Sequence, residues 1–203
     1  MESQVRRRVR RTVEASRQTI LETAERYLAE EGPHGVKVQR IARDLGLTDA
    51  AIHYHFGNRE GLLEALLRFS GRRFVDELTL AMEASGSPSF DLGKAARLLT
   101  DLYERRGAAR LAMWLILSGW SPSGGGMLQP LVDWLHEART RRALESGLTA
   151  PQLEDSQKLI ALLSAVTFAQ ALSGDALLRS VGLQALPRED FLSWVTDLLE
   201  QES

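Results

Sequence analysis

Apolar residues recur along this chain with a helical period almost from end to end. Ile20, Ala24, Tyr27 and Leu28 fall at i, i+4, i+7 and i+8, and Val38, Ile41, Ala42 and Leu45 at i, i+3, i+4 and i+7. Each set makes one stripe on a helix, and that stripe needs burial. Gly32, Pro33 and Gly35 break the chain between the two helices. Gly46 ends the second where glycine most readily takes the left-handed conformation. Thr48 is a side-chain cap for a third, very short helix whose apolar face is Ile52 and Phe56, and Gly57 with Asn58 closes it and caps the next. Three small helices are thereby predicted to share one core.

From Arg59 a fourth helix keeps a buried face through Leu62, Leu63, Leu66, Leu67, Phe69, Phe74, Leu78 and Ala81 until Gly86, Ser87 and Pro88 stop it. That is a rod of roughly 40 Å at ~1.5 Å per residue, long enough to join two domains. Further helices are predicted at about 91–105, 107–119, 127–146, 153–179 and 188–201, separated by the loop from Ser121 to Gly126, by Gly147 to Pro151 and by Gly182 to Pro187. With no alternating strand-like run and no internal repeat, the expected fold class is all-α with about nine helices. The expected segments are an N-terminal arm (1–16), a three-helix domain (17–60) and a larger helical domain (61–203), with a connecting helix at about 59–85.

Composition narrows the class. The chain has 203 residues, of which 44% are hydrophobic, ample for a real core. No stretch approaches ~18 uninterrupted apolar residues, and MESQVRRRVRR is followed by polar sequence rather than an apolar signal core. The expectation is no membrane span, no secretion signal and a cytoplasmic location. Absence of cysteine excludes disulfides, thiolate metal sites and thiol redox sensing. The net charge of −2 hides an asymmetry: Arg6, Arg7, Arg8, Arg10, Arg11 and Arg17 face only Glu2 and Glu14 in the first 17 residues, whereas residues 61–203 carry 14 basic and 18 acidic side chains. A basic arm on a mildly acidic body suits a polyanion that touches only the N-terminus, though a solvated tail has the same composition.

Residues 41–60, IARDLGLTDAAIHYHFGNRE, read as two short helices joined by a tight turn, the unit that places a helix in the DNA major groove. In that unit the start of the second helix faces base edges while flanking groups grip phosphates, which makes Thr48, Asp49, Ala50, Ala51, His53 and Tyr54 the candidate surface. Ala50 and Ala51 let the helix sit deep, and an alanine methyl can pack on a thymine methyl. Asp49 either accepts from a cytosine amino group or simply favours the helix dipole. Tyr54 can donate to phosphate oxygens, and so can His53, through one ring nitrogen only when neutral. His53 and His55, two residues apart, project roughly 200° apart on a helix, so they do not chelate a metal, and His55 is expected at the helix junction. Four scattered histidines, no cysteine and no phosphate-binding glycine loop leave no convergent nucleophile, base or metal set, so neither an enzyme nor a cofactor is expected.

The helix ending at Gly32, then Ile41-Ala42, Gly46, Thr48, His55-Phe56, Asn58, Arg59 and Leu62, together resemble the DNA-binding domain of the TetR family of transcriptional regulators over about residues 17–66. The family usually has tyrosine where this chain has His53, with Tyr54 immediately after. The resemblance implies Lys37 on phosphate and Gln39 as a base reader at the groove edge, with Arg59 as the basic phosphate contact. Arg17 and Thr19 are expected to begin the first helix, where free backbone N–H groups favour an anion, and Arg6 to Arg11 to reach the minor groove or backbone.

For the remaining chain the resemblance implies a ligand-binding and dimerisation domain. Helices 153–179 and 188–201, apolar on more than one stripe, are expected to form a homodimer that presents two reading heads ~34 Å apart to a near-palindromic double-stranded operator. The expected pocket residues are Leu99, Leu102, Tyr103, Met113, Trp114, Leu117, Trp120, Trp134 and Phe168, with Ser118, Thr167, Gln170 and His136 as polar anchors. The implied function is repression relieved by a small, largely apolar effector. The alternative reading is a helical ligand- or partner-binding protein whose DNA binding is weak or lost, with Asp49 and His53 as its signs.

Overall fold

The computed structural model describes residues 2–84, 92–121 and 126–201, with side chains from residue 13 onward and none over 82–84. Among these residues there are helices and no strands. They are α1 (Glu2–Glu31), α2 (Val38–Leu45), α3 (Asp49–Phe56), α4 (Arg59–Ala84), α5 (Leu92–Thr100), α6 (Ala108–Leu117), α7 (Gln129–Glu145), α8 (Leu153–Ser180) and α9 (Arg188–Gln201). Helix α5 runs directly into one π-helical turn, Asp101–Arg105, inside the range expected to be plain helix.

The chain divides into two compact units: residues 1–70 with 106–121, and residues 71–105 with 122–203. This departs from the expected boundary at residue 60. The first half of α4 belongs with the three small helices because Leu62, Leu63, Ala65 and Leu66 are buried in their core. Helix α6 belongs there too, since Leu111 and Leu115 join Ile20, Leu28, Ile41 and Ile52 in the same cluster. At ~0.8 kcal/mol per buried methylene, those two leucines make α6 a structural part of the unit.

Helix α1 starts well before the expected residue 17. No glycine or proline interrupts the sequence between Glu2 and Glu31, so the hydrogen-bond ladder runs through the segment expected to be an arm. Side chains Arg6 to Arg11 lie outside the described residues. Arg17 and Thr19 are therefore mid-helix, where the helix ladder takes up the backbone N–H groups and leaves none for an anion, and the Thr19 hydroxyl donates to the Ala15 carbonyl at 3.0 Å.

Local chemistry fixes the turns of the first unit. Gly46 has φ 63°, and its N–H together with that of Leu47 takes up carbonyls at the end of α2. The Thr48 side chain accepts from the Ala51 N–H at 3.2 Å, and Asn58 Oδ1 accepts from the Gly61 N–H at 2.7 Å. Gly61 is needed for a different reason: a Cβ there would lie 2.1 Å from the Phe56 carbonyl oxygen, so only glycine lets the first turn of α4 fold back on the end of α3.

In the second unit, α5 packs against α8 and α9, and α8 also packs against α7, α9 and the π-turn. Phe74, Leu92, Leu99, Leu131, Ile160, Leu163 and Leu199 are among its buried residues. Helix α8 is 28 residues long with a mean hydropathy of 1.4 over its most apolar window, enough by length and composition alone to cross a membrane. A third of that window is buried within the protein, and its ends carry Glu154, Asp155, Lys158 and Arg179, the pattern of a core helix whose second face is also apolar.

Candidate nucleic-acid interface

The short helix α3 buries Ile52 and turns a continuous face outward. Thr48, Ala50, His53 and Tyr54 are exposed and Asp49 and Ala51 half-buried, so the predicted reading surface is brought together on one side. Tyr54 is 78% exposed, an aromatic ring held in water by a helix whose other side is packed. Lys37 and Gln39, at the start of α2, are exposed as well. The Arg17 guanidinium lies over the Phe56 ring, 5.2 Å from its centroid, which ties the middle of α1 to the end of the reading helix.

Two predicted contacts are placed differently. The Nδ1 of His53 lies 2.9 Å from the Gly57 carbonyl. A carbonyl only accepts, so Nδ1 carries a proton, and whenever the ring holds just that one proton Nε2 is left as an acceptor that repels a phosphate oxygen. The single donor expected to serve DNA is spent on the helix end.

Arg59 is half-buried and turned inward. Its Nε donates to the Val36 carbonyl at 3.0 Å, its Nη2 to the Pro33 carbonyl at 2.5 Å, and its guanidinium lies over the Trp114 ring at 5.2 Å. The planar fork thus holds the α1–α2 loop, the connection that sets where Lys37 and Gln39 begin. A second brace, not foreseen from sequence, lies along α1 and α2: Arg26 pairs with Asp44 at 3.1 Å, the Tyr27 hydroxyl donates to Asp44, and Arg40 pairs with Glu31 while covering the Tyr27 ring. The Glu31 carboxylate raises the Arg40 pKa above its ordinary value. The third brace is buried: the Ser70 hydroxyl donates to Glu25 at 2.8 Å, linking α1 to α4.

Residues 20–66 of this head match the family model of bacterial regulatory proteins, tetR family. The match is to the TetR family and covers about a quarter of the chain. The transcriptional repressor AcnR of Corynebacterium glutamicum is 43% identical over 61 residues, 30% of this chain and 32% of AcnR. The transcriptional regulator BetI of Pectobacterium carotovorum is 26% identical over 191 residues, 92% of this chain and 93% of BetI. The chain thus spans about a third of the length of the first curated relatives it matches, the AcnR proteins, and almost all of the more distant BetI. A solved structure, a transcriptional regulator from Saccharomonospora viridis in complex with choline, is 22% identical and superposes with a TM-score of 0.56 over 93% of this chain and 95% of its own; that likeness is one of fold. Both named relatives are transcriptional regulators.

The aromatic set expected to line a pocket is divided between the units. Leu99, Leu102, Tyr103, Trp134 and Phe168 lie in the second, where Tyr103 and Phe168 meet edge to face at 5.3 Å and the Tyr103 hydroxyl is 2.8 Å from the Ser164 hydroxyl. Burial pushes the Tyr103 hydroxyl pKa above its ordinary value, against the opposing hydrogen bond to Ser164. Met113, Trp114, Leu117 and Trp120 lie in the first unit; Trp114 and Trp120 pack against the head core, and Leu117 is 79% exposed. An open groove of about 470 Å³ along α7, lined by Asp133, His136, Glu137, Thr140, Arg141 and Leu144, contains none of the nine. Of the four polar anchors, Ser118 and Thr167 bond to carbonyls of their own helices and His136 to Ser156. Only Gln170 keeps a buried oxygen without a partner.

Proposed function

We propose that this chain is a DNA-binding transcriptional repressor, released from a near-palindromic operator by a small-molecule effector. The observation that carries the reading is the outward face of α3, with Tyr54 exposed to water over a packed Ile52, on a head that matches the family's DNA-binding segment. Phosphates are gripped by Lys37, Tyr54, Arg17 and the Thr48 hydroxyl, whose cap bond uses only an oxygen lone pair. Bases are read by Gln39, Asp49, Ala50 and Ala51. Arg59 acts through the loop it clamps, as a positioning residue.

Homodimerisation through α8 and α9 is supported by their exposed apolar side chains: Leu162 and Leu177 on α8, Trp194 and Leu198 on α9. One copy leaves these in water, and a second copy related by a twofold axis covers them. The effector favours a dimer form whose heads no longer match the groove spacing, and it must bind that form more tightly to do so. Selection of bound fragments from genomic DNA at stated salt concentrations, followed by footprinting, tests the reading: a protected inverted repeat supports it, and no retained sequence at any salt favours a helical partner-binding protein instead.

A further inference from the structure

Helix α8 breaks its regular dihedrals at Ser173 (φ −154°, ψ 28°), beside Gly174. Ser-Gly pairs are among the recognised causes of helix kinks. The π-turn Asp101–Arg105, which ends the helix begun by α5, packs on α8. Between the two irregularities stand two carboxylates, Glu104 on the π-turn and Asp175 just beyond the kink. Both are taken by one guanidinium: Arg188, the first residue of α9, donates from Nη1 to Glu104 at 2.5 Å and from Nε to Asp175 at 2.8 Å.

The fit is incomplete. Gln170 is 5% exposed, and its Oε1 is buried without a donor. That oxygen and the Arg188 guanidinium crowd the same side of Gly174, where a Cβ would lie 2.3 Å from Oε1 and 2.9 Å from both Nε and Nη2 of Arg188. Any larger residue would close the space they share. A guanidinium tethered to α9 reaches both carboxylates yet leaves the third acceptor unmet, whereas a free cation is not bound by the tether.

We propose that Glu104, Asp175 and Gln170 form a site for a small organic cation bearing N–H donors, an amine, amidine or guanidine, and that Arg188 occupies it as a tethered stand-in until the ligand displaces it. The charge meets the two carboxylates and an N–H meets Gln170 Oε1. Displacement frees the start of α9. The consequence for DNA rests on the regulatory reading above, because α9 belongs to the face proposed to dimerise.

Calorimetric titration of the full chain with benzamidine and methylguanidinium, with tetramethylammonium as a cation lacking N–H, tests the site. Saturable binding of the first two and not the third is expected. Glu104→Gln and Asp175→Asn each weaken it by about tenfold or more, and Arg188→Ala tightens it, because the internal competitor is gone. Gln170→Met abolishes binding while leaving the melting temperature unchanged or raised, since it removes an unpaired buried acceptor. Weaker binding in Arg188→Ala, or unchanged binding in both carboxylate variants, overturns the proposal. If Arg188→Ala does not fold, Gln170→Met decides: retained binding overturns the site. Binding that leaves operator affinity unaltered refutes effector release and leaves the cation site standing; operator binding by a chain that takes up neither probe does the reverse.

Discussion

Arg59 Nε donates to the carbonyl of Val36 at 3.0 Å, across 23 residues of chain. The bond makes the arginine part of the loop that launches α2. Arg59→Ala is expected to destabilise the head by about 2 kcal/mol, because two charge-assisted hydrogen bonds go and two part-buried carbonyls lose their donor. Arg59→Lys does not restore it, since a single ammonium lacks the fork that spans Pro33 and Val36. Urea unfolding of the three proteins measures this; equal midpoints would show the clamp to be idle.

Phosphate contact and structural support separate in the salt dependence of DNA binding. Lys37→Ala should lower the slope of log K against log salt by about 0.9, the value for one released counterion. His53→Ala and Arg59→Ala should leave the slope unchanged even where affinity falls, because neither side chain offers phosphate a free charge in this geometry. A drop near one unit for His53→Ala would return that ring to the phosphate backbone. Gln39→Ala, by contrast, should change which sequences are preferred at constant slope.

Helix α6 is tested by its buried leucine. Leu111→Ala, fully inside the head core, should cost about 2–5 kcal/mol and weaken binding to every DNA sequence together. Thermal unfolding with a parallel retention assay reads both. Undiminished stability would remove α6 from the head.

Tyr103 predicts an alkaline limit. Its folded pKa is raised by burial, so the native state holds the phenol proton more tightly than the unfolded chain. The stability this supplies is complete below the unfolded value of about 10 and is lost as pH rises through the higher folded value. Tyr103→Phe should therefore flatten the loss of stability in that window, measured by urea midpoints at successive alkaline pH values. An unchanged profile would assign the loss to other groups.

The apolar face of α8 and α9 predicts an oligomer. Trp194, 58% exposed, lies on the face proposed to dimerise, and Trp194→Asp should raise the dimer dissociation constant about thirtyfold or more. Sedimentation equilibrium over a dilution series gives the constant. A monomeric parent chain would sink the assignment at once.

What the sequence made legible was periodic or local. The stripes through Ile20 and Ile41, the left-handed Gly46 and the caps at Thr48 and Asn58 each follow from residue type and spacing within a turn or two, and the structure has them. Direction and partner were not legible. A basic residue opening a helix reads the same whether it faces phosphate or, like Arg59, the carbonyls of a loop 23 residues earlier. The stripe of Leu111 and Leu115 announces burial without saying against which unit, and His53 gives no hint that its donor belongs to Gly57. Arg188, Glu104 and Asp175 come from three separate segments, and nothing in their spacing along the chain joins them.

The placement of α6 bears on how chains of this fold can be recombined. A head grafted onto another protein's second unit by a single cut within α4 leaves α6 behind on the wrong parent, and Leu28, Ile41 and Ile52 would then meet foreign side chains in place of Leu111 and Leu115. A working chimaera needs two joints, carrying residues 106–121 along with residues 1–70.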